Sequence, residues 1–404
     1  MIWPFMSLVL CLFKKDKTYF PNLLWMFFMY YGMTFALSIE SLDNDIVRYQ
    51  EMLLNIRADK LSFTNILSEH LLSGEFDLYS ITVAYIASLF SSSINVLTFL
   101  FSIIFGYFLT RNIYLIQTKS DLKNPFILVL IVLFFFLNPI HNINGARFYT
   151  ALQIFVYGIL YFIHTKKKKY LLFCLLTPII HFSYYLPIII LIFSSLLRKF
   201  PKIIFYFFVV SIVSSELLTN EIISNFVSKI GVSVFEERTI GYTDKELIDL
   251  YLEDNSTNLN WYIKYLNYFL KIGLNILVIS VYFLRIKTIL KNDFDKQFFS
   301  ISLFVFSLGN FLSNHFVIGR FYSLGALLIV SFMIYFLSKS ENKYFMYRIG
   351  FLRHIVMTCL LIFSIVGIRT WLFSMSLSTI FLNPIFSIFI ENHVSINDLL
   401  RGFI

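Results

Sequence analysis

Two tetrapeptides of this chain, Arg147-Phe148-Tyr149-Thr150 and Arg320-Phe321-Tyr322-Ser323, are near-copies, and each opens a long apolar stretch. A guanidinium held at the margin of hydrocarbon is costly to place and normally has a task. Its planar fork binds phosphate oxygens two at a time and keeps its charge in a dry site. At a helix start the unpaired backbone N–H groups and the dipole favour an anion as well. The pair therefore points to a phosphate-bearing anion, with snorkelling to lipid headgroups as the plainer alternative. Arg369, in the last long apolar stretch, is a third candidate.

Carboxylates and a histidine offer proton chemistry. Asp43-Asn44-Asp45, followed by Arg48 and Tyr49, sits just after an early apolar run. The favoured reading makes Asp45 a general base or orienting group rather than a metal ligand. His181, between Pro178 and Pro187, competes for the base role because an imidazole titrates near neutral pH. Farther on, Lys264, Asn267, Lys271 and Asn275 recur every three or four residues and share one helical face. Ser307, Asn310 and Asn314 repeat the pattern in the next apolar run, so the two stripes are expected to line a common polar cavity. Interhelical hydrogen bonding without a ligand is the alternative. No metal-ligand spacing, phosphate-binding glycine loop, dinucleotide fingerprint or serine-nucleophile elbow occurs, so no metal or cofactor is expected. An enzyme without that machinery would draw on an activated lipid-phosphate donor made elsewhere.

The elements that must position these residues follow from composition. Of 404 residues 58% are hydrophobic, 19% aromatic and only 14% charged, which excludes an ordinary soluble domain. The expected fold class is an all-α polytopic integral membrane protein with about twelve transmembrane helices. Residues 1–404 read as one transmembrane domain, with long outer loops at 40–77 and 219–260 and an outer tail at 374–404. Leu78 to Phe90 is expected to be an interfacial or re-entrant helix. Cys11, Cys174 and Cys359 lie in apolar runs and read as small hydrophobes. The first residues lack a basic flank and a cleavage site, so they are expected to stay in the membrane.

The net charge of +9 is a topology signal, not a mark of nucleic-acid binding. One set of connections, from Lys14 to Arg353, carries a net charge of +16, and the alternate set a net of −10. The positive-inside rule makes the first set cytoplasmic, so both Arg-Phe-Tyr motifs face outward. Between Tyr170 and Leu197 the chain turns back after too few residues for two full crossings, which sets His181-Phe182-Ser183 below the outer surface.

Taken in order, the acidic segment Asp43 to Gln50, the run Asn144-Gly145-Ala146-Arg147, the Lys166 to Lys169 block, Ile180-His181-Phe182-Ser183 and Gly319-Arg320-Phe321-Tyr322 resemble one family. The chain is similar to the EpsG-like and O-antigen polymerase (Wzy) group of bacterial polysaccharide polymerases. Relatives often carry Gly-x-Asp in the acidic segment and Arg-Gln at the helix start, where this chain has Asp43-Asn44-Asp45 and Arg147-Phe148.

The resemblance implies a GT-C-type membrane glycosyltransferase architecture in the bacterial cytoplasmic (inner) membrane, with the active site facing the periplasm or exterior. It also implies the joining of oligosaccharide repeat units on the outer leaflet, and the leading reading is transfer of a growing glycan from undecaprenyl pyrophosphate to a lipid-linked repeat unit, metal-independent and, in a single displacement without a protein nucleophile, inverting. Arg147 and Arg320 would bind pyrophosphate, and Asp45 or His181 would take the proton. Arg48, Tyr49, Asn144, Lys264, Lys271, Asn310, Asn314 and Arg369 would contact substrate. Expected partners are the undecaprenyl-pyrophosphate-linked oligosaccharides, membrane lipids, a chain-length regulator and a flippase. A transporter or flippase of the same lipid-linked sugars, or an O-antigen ligase, are the rival readings.

Overall fold

The computed structural model describes residues 3–13, 19–36, 45–59, 62–72, 74, 76–214, 265–313, 320–342, 345–390 and 393–401. Every helix or strand element among them is helical, as expected. A helix satisfies its own backbone N–H and C=O groups without water, which hydrocarbon demands. The expected outer loop at 219–260 and the candidates Lys264 and Asn314 lie outside the described residues, as do Asp43 and Asn44.

In chain order the helices are α1 Pro4–Phe13, α2 Phe20–Met33, α3 Asp45–Asp59, α4 Phe63–Leu72, α5 Leu78–Phe90 and α6 Ile94–Lys119. Next come α7 Pro125–Leu137, α8 Ala146–Thr165, α9 Leu171–Ile180, α10 Tyr185–Ile192, α11 Ser194–Leu197 and α12 Pro201–Val213. After these stand α13 Leu266–Ile289, α14 Asp293–Leu312, α15 Arg320–Leu337, α16 Phe345–Arg348 and α17 Leu352–Ser374. Three short helices close the chain: α18 Leu377–Phe381, α19 Pro384–Ser387 and α20 Ile396–Arg401.

Five helical stretches among the described residues are long and apolar enough to cross a membrane: α6, Pro125–Thr165, α13, α15 and Leu352–Leu372. The chain is a multi-pass membrane protein. Other apolar runs correspond to shorter helices, such as α12 with 13 residues and α9 with 10, or to the 20-residue α14, whose first turn carries charges. Pro125–Thr165 is itself interrupted by a 3-10 turn over Ile140–Gly145. The expected outer stretch at 40–77 contains α3 and α4. Ile46, Tyr49, Leu53 and Ile56 recur at helical spacing and are buried, a stripe that stabilises α3 against α5 and Phe101 of α6.

By its contacts the chain divides into two compact units. The first comprises Met1–Thr118, Asn138–Ile188 and Gly367–Ile404. Its centre is α8, where 14 of 20 residues are buried, so the helix is packed all round. Gly158 lets α9 approach, since a Cβ there would come within 2.9 Å of the Tyr170 carbonyl oxygen. The buried Asn112 Nδ2 donates to Gln153 Oε1 at 2.8 Å, and Gln153 Nε2 donates to the Asn138 carbonyl at 3.3 Å. The second of these bonds occupies a backbone acceptor just past the end of α7, beside the helix break.

The segment after α17 folds back onto α2. Tyr30 donates its hydroxyl hydrogen among the Ser378 and Leu382 carbonyls, at 2.7 and 2.8 Å, and Thr34 pairs with Thr379 at 2.7 Å. Ser376 Oγ donates to the Thr34 carbonyl at 2.9 Å.

The second unit comprises Lys119–Leu137 and Ile189–Val366. Its innermost helix is α15, and α14 packs along it. A Cβ on Gly325 would lie 2.5 Å from the Phe306 Cα, so only glycine allows this approach. At the far end of the pair, the buried Asp295 carboxylate accepts from Tyr335 at 3.0 Å and forms an ion pair with Lys339. An aromatic seam, with Phe205 stacked 3.5 Å from Tyr282 and Phe208 against Phe306, fastens α12 to α13 and α14.

Candidate functional site

The first unit gathers four segments around Arg147: the start of α3, the residue before α5, the start of α8 and the turn between α9 and α10. Arg147 stands one residue inside α8 because Pro139 is extended and the 3-10 turn Ile140–Gly145 delivers the chain to the helix. Its Nε donates to the Tyr49 hydroxyl at 3.1 Å, and its Nη1 donates to Asp77 Oδ2 at 3.2 Å. The guanidinium carbon also lies 5.7 Å from the centre of the Tyr49 ring. Of five N–H donors, these two bonds leave three for another acceptor.

Asp77 is the residue that sequence reasoning missed. Its side chain is buried, and its second oxygen accepts the Phe182 backbone N–H at 2.7 Å. One carboxylate therefore holds both the guanidinium and the turn carrying His181. A carboxylate immediately before the apolar run Leu78 to Phe90 was the available signal. It reads as a helix cap, yet the side chain caps nothing here.

Asp45 opens α3 and lies 3.8 Å from Arg48. Its carboxylate is beside the Gly145 backbone, where a Cβ would be 3.6 Å from Oδ2. The Ile46 N–H donates to Asn144 Oδ1 at 3.3 Å, which ties the start of α3 to the turn before α8. Burial pushes the Tyr49 phenol above its ordinary value, an effect opposed by the neighbouring Arg147 and reinforced by Asp45. Tyr49 thus stays protonated, a neutral acceptor for Arg147 Nε.

The backbone leaves helical geometry at His181, the expected apex. His181 Nδ1 accepts from the Ser183 N–H at 3.3 Å and lies 2.7 Å from its hydroxyl. The imidazole packs edge-on to Phe148, with ring centres 5.4 Å apart. Asp45, Arg48, Tyr49, Asn144, Arg147 and His181, six candidates read from the sequence, all belong to this unit. Arg369 is half-buried in the same unit.

The second unit holds Arg320, half-buried at the start of α15, with Lys271 and Asn310. The tetrapeptides repeat in sequence but not in burial: Phe148 is buried in one, and Tyr322 in the other. Between the two expected polar stripes, the described residues make the bonds that the alternative reading offered. Lys271 Nζ donates to Ser313 Oγ at 2.7 Å, Ser313 donates to the Asn310 carbonyl, and Asn310 Nδ2 donates to Ser211 of α12 at 3.4 Å. Ser307 bonds the Leu303 carbonyl in its own helix. These bonds join helices, while the buried Asn275 Oδ1 of the same stripe has no hydrogen-bond partner among the described residues.

Among comparisons with known proteins, the EpsG family model matches residues 23–376. No curated protein and no solved structure matches the chain.

Proposed function

The chain belongs to the EpsG family of Wzy-type polymerases, and from that premise we propose that it polymerises lipid-linked oligosaccharide repeat units. The growing glycan is transferred from undecaprenyl pyrophosphate to a hydroxyl at the non-reducing end of a second lipid-linked repeat unit. The C1–O bond to the carrier breaks, a new glycosidic bond forms, and the carrier leaves as undecaprenyl pyrophosphate. The observation that carries this reading is Arg147, fixed by Tyr49 and Asp77 beside Asp45 with three N–H donors to spare.

Arg147 stabilises the negative charge that develops on the departing diphosphate, a contribution for which loss of one well-placed donor costs about 10²–10³ in rate. Asp45 accepts the proton of the attacking hydroxyl, with His181 as the other candidate. Arg48, Asn144 and Arg369 of the same unit contact the substrates, and Arg320 is the other candidate cation for a diphosphate. A single displacement without a protein nucleophile inverts the anomeric centre, and no metal is needed where guanidinium groups take the charge. The shorter helices complete the spanning set in a GT-C-like arrangement, with the Arg147 cluster toward the periplasm or exterior of the cytoplasmic membrane.

The test is the polysaccharide length distribution from cells lacking this protein. Single repeat units displayed outside, without longer chains, support polymerisation. Absence of any displayed unit would indicate a flippase, and long chains unattached to their acceptor would indicate a ligase.

A further inference from the structure

A cavity of about 670 Å³ in the second unit takes no part in that chemistry. Arg198, Lys199, Lys202 and Lys296 line it, with Asp293 as the single carboxylate. Asp293 is shared, 3.1 Å from Lys296 and 3.9 Å from Arg198. Lys199 and Lys202 have no acidic partner among the described residues, so the cavity carries excess positive charge. It opens at the first residues of α14. Arg320 lies toward the other end of that helix, because α15 runs back along α14 from Tyr322 beside Gly309 to Lys339 at Asp295. Twenty residues of α14 separate the two ends by about 30 Å.

Basic residues at this end are expected from topology alone. The apolar surface beside them is a separate observation. Phe200 and Ile203 form part of the cavity wall. From Ile203 an exposed stripe continues along α12 through Tyr206, Val210 and Val213, at helical spacing, while Ile204, Phe205 and Phe208 face the interior. In a bilayer that stripe faces acyl chains, so a lipid lying on it brings its own headgroup to the cavity, whereas a soluble anion would use the cavity alone. A phospholipid would use both.

The geometry points to a binding site for an anionic phospholipid, with its phosphate and glycerol headgroup in the cavity and an acyl chain along Ile203 to Val213. Charge complementarity selects the headgroup, and basic pockets between membrane helices take acidic lipids in this way. The site is expected in the leaflet opposite the Arg320 end, and it stands whether or not the chain is a polymerase.

Lipid retention by the purified full-length protein, read by native mass spectrometry, provides the test. Dioleoyl phosphatidylglycerol is compared with dioleoyl phosphatidylcholine, so that only the headgroup differs. The wild type is expected to prefer the anionic lipid by at least tenfold. Each cation removed, in Lys199→Gln and Lys202→Gln, is expected to lower that preference by about fivefold. Asp293→Asn is expected to raise it, a gain that misfolding cannot imitate. Equal retention of the two lipids, an unchanged preference in the lysine variants, or no gain in Asp293→Asn would overturn the assignment. Displacement of phosphatidylglycerol by millimolar glycerol 3-phosphate would assign the cavity to a soluble phosphate instead.

Discussion

Asp77 and Arg147 meet across 3.2 Å, and the same carboxylate takes the backbone N–H of Phe182 at 2.7 Å. The bond to Phe182 makes Asp77 a bracket between the start of α8 and the turn at His181. The bond to Arg147 keeps a guanidinium charged and aimed without using all its donors. An arginine held in this way is pre-organised for an arriving anion, so little side-chain freedom is lost on binding.

Replacing Arg147 by alanine should lower chain extension by about 10²–10³. Arg320→Ala should also abolish extension if it supplies the second cation. Arg147→Lys should fail too, because an ammonium cannot reach Tyr49, Asp77 and a phosphate at once. The measurement is the polysaccharide ladder from cells matched for inserted protein. A normal ladder from any of these variants would remove that arginine from the mechanism.

Asp77→Asn should retain an oxygen for the Phe182 N–H and lose the charge opposite Arg147. Chain extension should fall while the protein still inserts and folds. Asp77→Ala loses both bonds and should destabilise the first unit by about 2–3 kcal/mol. Parallel thermal unfolding and ladder assays separate the two effects, and equal behaviour of the variants would contradict the bracket.

Tyr49→Phe keeps the ring under the guanidinium and deletes the acceptor of Arg147 Nε. An unmet buried donor costs about 1–3 kcal/mol, so a reduction of about tenfold or more in extension is expected at unchanged expression. Tyr49→Leu should be worse, since it also removes the ring contact. A Tyr49→Phe variant with wild-type turnover would show that the hydroxyl does not position Arg147.

His393 gives the tail a pH dependence. The residue is buried against Ser378, whose Oγ is 3.0 Å from Nδ1, and burial lowers its pKa below the ordinary value of 6.5. The unfolded tail therefore binds a proton more readily than the folded one. Stability from this group is present above pH 6.5 and is lost as pH falls toward the folded-state value. Hydrogen exchange of residues 375–401 should accelerate on acidification, and His393→Gln should flatten that response. An unchanged acid response in the variant would assign it to another group.

Much of the protein was legible in the sequence because the signals are local. Apolar runs announce membrane helices, since hydrocarbon leaves the backbone no other solution. Pro178 and Pro187 bracket the turn at His181, and Arg147 opens α8 where the sequence set it. The stripe Ile46, Tyr49, Leu53 and Ile56 was equally present in the letters, but acidic and polar neighbours made the segment read as a loop. Tertiary structure alone decided which partners those residues take. Asp77 is 70 positions from Arg147, and no periodicity connects them; the contact exists because α3, α5, α8 and α9 pack together. The polar stripes of α13 and α14 were visible, yet their spacing could not tell a cavity wall from a bonded seam. That choice depends on where Ser313 and Ser211 lie, and packing placed both within reach. The tail on α2 and the basic cavity beside α12 have the same origin: residues far apart along the chain become neighbours only when the helices close.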